Sequence, residues 1–264
     1  GFGFKISAVP FHLWTADVYE GSPVNVTSYF SVISKASVLF VFVTVLYTSF
    51  KFYAITWNHI LFIVSVLTMV IGNLFAIRQN NLKRFLAFSS ISQVGFILIG
   101  MFGQSQAGTA SVVYFILIYT FSNLGAFGVI GVVSAYTGRE NMEDYKGFYK
   151  TNPRLSWVLA ISLFSLAGIP PTAGFFGKFF LLMAGAGHGN YLLITIAALN
   201  MVVSLYYYLK IIKAIFMDSS ENPIIRLLTP FSPKLALIIC MTGIILTGFV
   251  GYIYEYIYSM STIF

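Results

Sequence analysis

Between Asn25 and Phe50 the chain carries one charged side chain, Lys35, near the centre of an otherwise uncharged apolar run. A helix of about 20 apolar residues crosses the hydrocarbon core of a bilayer. Similar runs recur along the chain, at about 1–16, 25–49, 58–77, 85–103, 110–135, 155–187, 190–216 and 235–258. Phe, Ile, Leu and Val continue all round each one, as in helices that face no water. Only 9% of the residues are charged, where soluble domains carry about 25%. Backbone groups in lipid must be satisfied within each segment. The expected fold is therefore an all-α polytopic membrane protein of about eight transmembrane helices.

The charges outside these runs fix a topology. Let side A hold the ends of the odd-numbered segments and side B the ends of the even-numbered ones. Of fifteen Lys and Arg residues, eleven fall on side A, from Arg78 to Lys234, and only Lys51 falls on side B. The remaining three, Lys5, Lys35 and Lys178, lie inside segments. The positive-inside rule places side A in the cytoplasm or matrix. The net charge of +7 is thus a topology signal, and nucleic acid is not an expected partner. The acids Asp17, Glu20, Glu140, Glu143, Asp144, Asp218 and Glu221 fall in side A loops, and Glu255 lies near the side B end of the last segment. No acid lies at mid-span, so a membrane-embedded carboxylate for Lys5 is expected from another segment or another chain.

Two segments contain helix breakers. The first has Pro10 after Gly1 and Gly3, and the sixth has Gly168, Pro170, Pro171, Gly174 and Gly177. Proline removes a backbone donor and clashes with the preceding turn. These breaks read either as packing kinks or as two discontinuous helices at equivalent places in an inverted repeat, a transporter pattern.

An ammonium at the bilayer centre costs about 2.5–3.5 kcal/mol on insertion scales. Lys35 is too central to snorkel easily, and Lys178 follows the double-proline break. Such lysines are candidates for a proton relay, with an internal salt bridge as the structural alternative. His12, after Pro10, suits proton exchange with water or serves as a packing residue. Ser89, Ser90, Ser92 and Gln93 form a polar stripe that either binds water or joins helices by hydrogen bonds. His59 and His188 read as interfacial side B residues. Tyr206, Tyr207 and Tyr208 beside Lys210 read as an aromatic belt. A single cysteine, Cys240, excludes an internal disulfide and a multi-cysteine cluster. No glycine fingerprint precedes a strand–helix unit. No His/Cys cluster suggests a metal site, and no catalytic residue is expected in the enzymatic sense.

Several stretches read together resemble a known family. They are Gly1-Phe2-Gly3-Phe4-Lys5, Val9-Pro10-Phe11-His12-Leu13-Trp14 and Asp17-Val18-Tyr19-Glu20-Gly21-Ser22-Pro23. Ser34-Lys35, Gly72-Asn73-Leu74, Lys83-Arg84 and the Ser89–Gly95 stretch continue the pattern. Leu166-Ala167-Gly168-Ile169-Pro170-Pro171, Gly174-Phe175-Phe176-Gly177-Lys178 and Tyr206-Tyr207-Tyr208-Leu209-Lys210 complete it. The whole resembles the subunit N (NADH dehydrogenase subunit 2) family of antiporter-like membrane subunits of NADH:quinone oxidoreductase, respiratory complex I.

The resemblance implies proton translocation driven by quinone reduction elsewhere, with no redox centre in this chain. NADH, FMN, iron–sulfur clusters and quinone would be held by other subunits. It implies two inverted repeats. Residues 1–49 would end the first, 58–216 would form the second, and 235–264 would hold a carboxy-terminal helix and tail. On this mapping Lys5 and Lys178 match the lysines of the two discontinuous helices, Lys35 a connecting lysine, and His12 a histidine near the first break. Gln93 stands where many relatives have histidine. The chain begins without an initiator Met and reads as a fragment or split product, with further amino-terminal helices expected in cis or in trans. Implied partners are the bilayer and other membrane subunits of complex I. The implied location is the bacterial inner membrane, or alternatively the mitochondrial inner or thylakoid membrane. The rival readings are a cation/proton antiporter subunit of the same fold and a membrane subunit that moves no protons.

Overall fold

The structure, a computed structural model, describes residues 1–187 and 189–261. His188 therefore lies outside the described residues. The described residues form helices joined mostly by short loops, the longest being 217–230, with one isolated backbone bridge between Asn81 and Asn141.

Among the described residues, six helices are long and apolar enough to cross a membrane. We label the elements in chain order. A short α1 (Phe2–Ile6) and α2 (Leu13–Gly21) flank the Pro10 break. Then come α3 (Val24–Thr48), α4 (Ala54–Ile77), α5 (Leu82–Ile99) and α6 (Gln106–Thr137). The sixth apolar segment is split into α7 (Pro153–Ala167) and α8 (Ala173–Ala186). The series ends with α9 (Tyr191–Phe216), α10 (Phe231–Phe249) and α11 (Gly251–Met260). The first and sixth segments are thus interrupted, as their breakers suggest. One boundary differs from expectation. The run 235–258 is not one helix, because Val250 leaves the helical region at φ −96°, ψ 88° and α11 starts afresh at Gly251.

Local signals explain the helix ends. Asn81 caps α5 by accepting from the backbone N–H groups of Lys83 at 2.9 Å and Arg84 at 3.1 Å, which satisfies two orphan donors of the first turn. Ser105 caps α6 through Gly108 N–H at 3.0 Å. Gly138 closes α6 at φ 67°, a conformation that glycine adopts without steric cost.

The loops confirm the alternation of ends. At one end Leu82 N–H donates to Glu140 O, and Met142 N–H to Asn80 O, both at 2.8 Å. Beside them Lys83 pairs with Glu140 at 3.0 Å, and Arg84 reaches both Asp17 and Glu20 at 2.7 Å. This is side A. At the other end Tyr47 OH donates to Met101 O at 2.9 Å and Gln106 Nε2 to Tyr258 O at 2.7 Å.

The centre of the bundle is α5. Almost all of its residues are buried, including Ser89, Ser90, Ser92 and Gln93. It lies against α4 at backbone contact. A Cβ on Gly72 would come within 2.7 Å of Ser92 N, and one on Gly95 within 2.8 Å of Met69 N. Small residues give transmembrane helices this approach. The outer helices turn Phe40, Ile55, Leu199 and Val202 outward. A bundle with an apolar exterior and a polar central helix inverts the soluble pattern, as a lipid solvent requires.

Candidate functional site: a buried lysine–glutamine–lysine line

The break between α7 and α8 builds the first half of the site. Gly168 ends α7 at φ 84°, leaving the last carbonyls of that helix without intrahelical partners. Lys178, one and a half turns into α8 and fully buried, folds back and fills that role. Its Nζ donates to Leu166 O at 2.8 Å and Ala167 O at 3.1 Å. A cation is favoured there by the negative end of the helix dipole. The ammonium also sits 4.9 Å from the Phe96 ring centroid, a cation–π distance. Gly174 makes the fold-back possible. A Cβ at that position would collide with the Ser165 carbonyl, while its own N–H donates to Ser165 Oγ at 3.2 Å.

Lys35 builds the second half. It follows a π-helical turn, Phe30–Ser34, within α3, an irregularity that often marks functional sites. Its Nζ donates to Ser90 Oγ at 2.8 Å and lies 5.7 Å from the Tyr19 ring centroid. The Tyr19 hydroxyl faces those of Ser31 and Ser90. Ser31 Oγ meets Tyr119 OH at 3.1 Å. Asn123 Nδ2 donates to Ser31 Oγ at 2.7 Å and to Tyr119 OH at 2.6 Å.

Gln93 connects the two halves. Its Nε2 donates to Leu166 O at 3.0 Å and to Tyr208 OH at 3.3 Å. Gln93 and Lys178 therefore share one carbonyl. On its other side Gln93 lines a cavity of about 10 Å³ together with Lys35 and Tyr119. That volume is the smallest that holds one water molecule, and most of the wall is apolar, made by Ala36, Leu39, Val94, Ile97 and Ile116. Gln93 Oε1 has no hydrogen bond among the described residues. Tyr208 in turn hydrogen-bonds Ser89.

The other expected residues are placed differently. Lys5 does not join the line. Its side chain is exposed, 5.8 Å from the Phe30 ring centroid. His12 is buried at the break before α2, and its Nδ1 has no hydrogen bond of normal geometry among the described residues. Ser92 is buried beside Tyr207. His59 is exposed near the side B end of α4. The tyrosine belt is corrected. Only Tyr206 faces outward, while Tyr207 and Tyr208 are buried. Tyr207 OH donates to Asn73 Oδ1 at 2.8 Å, and Asn73 Nδ2 to Asn200 Oδ1 at 2.9 Å. Successive helical residues point about 100° apart, so three neighbouring tyrosines cannot share one interface. Sequence reasoning also missed Tyr19, Ser31, Tyr119 and Asn123. The i, i+4 pair of Tyr119 and Asn123 within an apolar span was the available signal.

Among the described residues every ion pair lies on side A. Lys35 and Lys178 have no carboxylate within ion-pair distance among the described residues. Nor do the described residues contain a cluster of three His, Cys, Asp or Glu that could hold a metal. Among the described residues, the arrangement holds two ammonium groups by neutral oxygens and two ring faces.

This architecture is shared with known proteins. Residues 1–204 match the family model described as NADH:quinone oxidoreductase/Mrp antiporter, TM. NADH-quinone oxidoreductase subunit N of Phocaeicola vulgatus is 48% identical over 256 residues, covering 97% of this chain and 54% of that protein. A chain of respiratory complex I from Thermus thermophilus superposes with TM-score 0.83 at 29% identity, over 97% of this chain and 56% of its own. A chain of the Mrp complex from a Dietzia species superposes with TM-score 0.89 at 21% identity, over 98% of this chain and 57% of its own, which shows a common fold. The chain spans about half the length of these relatives. On the family match and the apolar bundle together, the chain belongs to the membrane-embedded NADH:quinone oxidoreductase/Mrp antiporter family.

Proposed function

We propose that the chain works as a proton-translocating membrane subunit of an NADH:quinone oxidoreductase, passing protons along Lys35, Gln93 and Lys178. The observation that carries this reading is the burial of two lysines without carboxylate partners, one on each side of a glutamine that contacts the carbonyl beneath Lys178 and a water-sized cavity beside Lys35. Insertion of each ammonium costs a few kcal/mol, and a merely structural role would be served more cheaply by an apolar residue.

In the proposed cycle Lys35 releases a proton to a water in the Gln93 cavity. Gln93 orients that water through its amide. Lys178 takes up the proton as a neutral amine and regains its hydrogen bonds to Leu166 and Ala167 on becoming an ammonium. Energy from quinone reduction would reach the line through other membrane subunits. NADH, FMN, iron–sulfur clusters and quinone belong, on this reading, to those subunits. His12 and the exposed Lys5 are proposed to extend the relay toward segments outside this chain. Ser89 supports it through its hydrogen bond to Tyr208, and Ser92, whose buried hydroxyl has no hydrogen bond of normal geometry among the described residues, is proposed to hold water. Residues 1–49 are proposed as the end of one antiporter-like repeat, 58–216 as a second, and 235–264 as a carboxy-terminal helix and tail. The bacterial relative favours a bacterial inner membrane, with side A in the cytoplasm.

A cation/proton antiporter of the same fold is the rival. The 48% identity to a complex I subunit, against 21% to the Mrp chain, favours complex I. The test is proton pumping by the assembled complex in vesicles, normalised to complex content. Lys35→Arg and Lys178→Arg should assemble and lose most pumping, because arginine does not deprotonate. Normal pumping by both variants would leave these lysines structural.

A further inference from the structure

On side A a groove of about 1040 Å³ opens between the start of α7 and α10. Its mouth carries four cations from three stretches of chain. Lys150 lies in the turn before α7, Arg154 in the first turn of α7, Arg226 in the 217–230 loop, and Lys234 in the first turn of α10. Among the described residues, no acid lines the groove. Below the cations the wall is mostly apolar, with Thr242 the one hydroxyl among its α10 residues. Val158, Leu237, Ile238, Met241 and Ile245 descend from it. From Lys234 to Ile245, at 1.5 Å per residue, the wall runs about 16 Å into the bilayer, the reach of an acyl chain within one leaflet.

The groove is built into the fold. Asn152 Nδ2 donates to Ile225 O at 2.9 Å, and Leu227 N–H donates to Asn152 Oδ1 at 2.8 Å. The buried Asn152 thereby ties the 217–230 loop over the start of α7 and sets Arg226 opposite Lys150 and Arg154.

We propose that this groove binds one anionic phospholipid of the side A leaflet, its phosphate among Lys150, Arg154, Arg226 and Lys234 and an acyl chain along α10. Basic pockets between helices on the cytoplasmic or matrix side take such headgroups. Charge complementarity selects a lipid over a protein segment. Four cations without an acid call for an anion, whereas a further transmembrane segment ending on side A would itself bring positive charge. The proposal is independent of the lysine relay and rests only on membrane insertion.

The test measures lipid bound to the purified, delipidated complex after re-addition of dioleoylphosphatidylglycerol or dioleoylphosphatidylcholine. The wild-type complex should retain one phosphatidylglycerol more than a Lys150→Gln/Arg154→Gln/Arg226→Gln/Lys234→Gln complex, with at least tenfold weaker half-saturation in the variant and no such difference for phosphatidylcholine. A second variant, Ile238→Trp/Met241→Trp, fills the apolar wall and keeps the cations. It should lose the same lipid, and it decides the matter if the quadruple variant does not assemble. A photoreactive side chain at Ile238 should label lipid. Equal phosphatidylglycerol binding in wild type and variants, equal selectivity for phosphatidylcholine, or labelling of protein at Ile238 would each overturn the proposal.

Discussion

Lys178 Nζ and Gln93 Nε2 donate to the same carbonyl oxygen, that of Leu166, at 2.8 and 3.0 Å. Two donors from different helices thus converge on the end of a third. Any change in the lysine's charge alters the pull on a carbonyl that the glutamine also holds.

Gln93 should therefore matter for transfer more than for folding. In Gln93→Leu the hydrogen bonds to Leu166 and Tyr208 are both lost. We expect pumping by the assembled complex to fall several-fold with near-normal complex content. Gln93→His should keep most of the pumping, because an imidazole also donates and accepts. Equal pumping by the Leu variant would remove Gln93 from the path.

Gly174→Ala tests the fold-back. The new methyl would meet the Ser165 carbonyl, and overpacking of this kind costs about 1–3 kcal/mol. Less assembled complex is expected, whereas Gly251→Ala, whose Cβ meets open space, should be neutral. The two are compared by immunoblot of native gels. Equal assembly would mean that α7 and α8 are not held as described.

Lys83→Ala should destabilise the side A junction. It removes the 3.0 Å pair with Glu140 and the 3.2 Å bond to Ser22 O. Hydrogen bonds to charged groups contribute about 1.5–3 kcal/mol, and Glu140 would keep its charge in a largely buried site. Thermal dissociation of the complex should occur several degrees lower. Lys83→Met/Glu140→Gln should recover part of the loss. A double variant worse than the single would contradict the pairing.

Topology is checked with one introduced thiol. Cys240 is buried and bonded to nothing, so Cys240→Ser should leave activity near normal. In that background Lys146→Cys should react with an impermeant maleimide only from the cytoplasmic face. Labelling in intact right-side-out cells would reverse side A.

The sequence made the lysines legible, because a lone charge in an apolar run has few innocent explanations. The breaks at Pro10 and Pro170–Pro171 were equally plain, since proline acts locally. Gln93 could not be separated from its neighbours Ser89 and Ser92. Its partners, Leu166 and Tyr208, lie 73 and 115 residues away, and only tertiary packing brings them together. Tyr208 was misread for a related reason. Position near a helix end suggests the interface, but the face that a side chain takes depends on which neighbouring helix it meets. The break at Val250 was hidden because apolarity continues through it.

The π turn at Phe30–Ser34 carries information of another kind. A π turn accommodates one surplus residue within an α-helix. Deleting one residue there would close the bulge, restore regular hydrogen bonding and keep the two flanking lengths of α3 in phase. Ser31 and Lys35, both turned inward, would move from four residues apart to three and still share a face. The surplus residue therefore adjusts spacing locally beside Lys35 and leaves the direction of the lysine to the helix as a whole. Loss of a single codon here should be tolerated far better than the same loss in an unbroken stretch of helix, where every later side chain would change face.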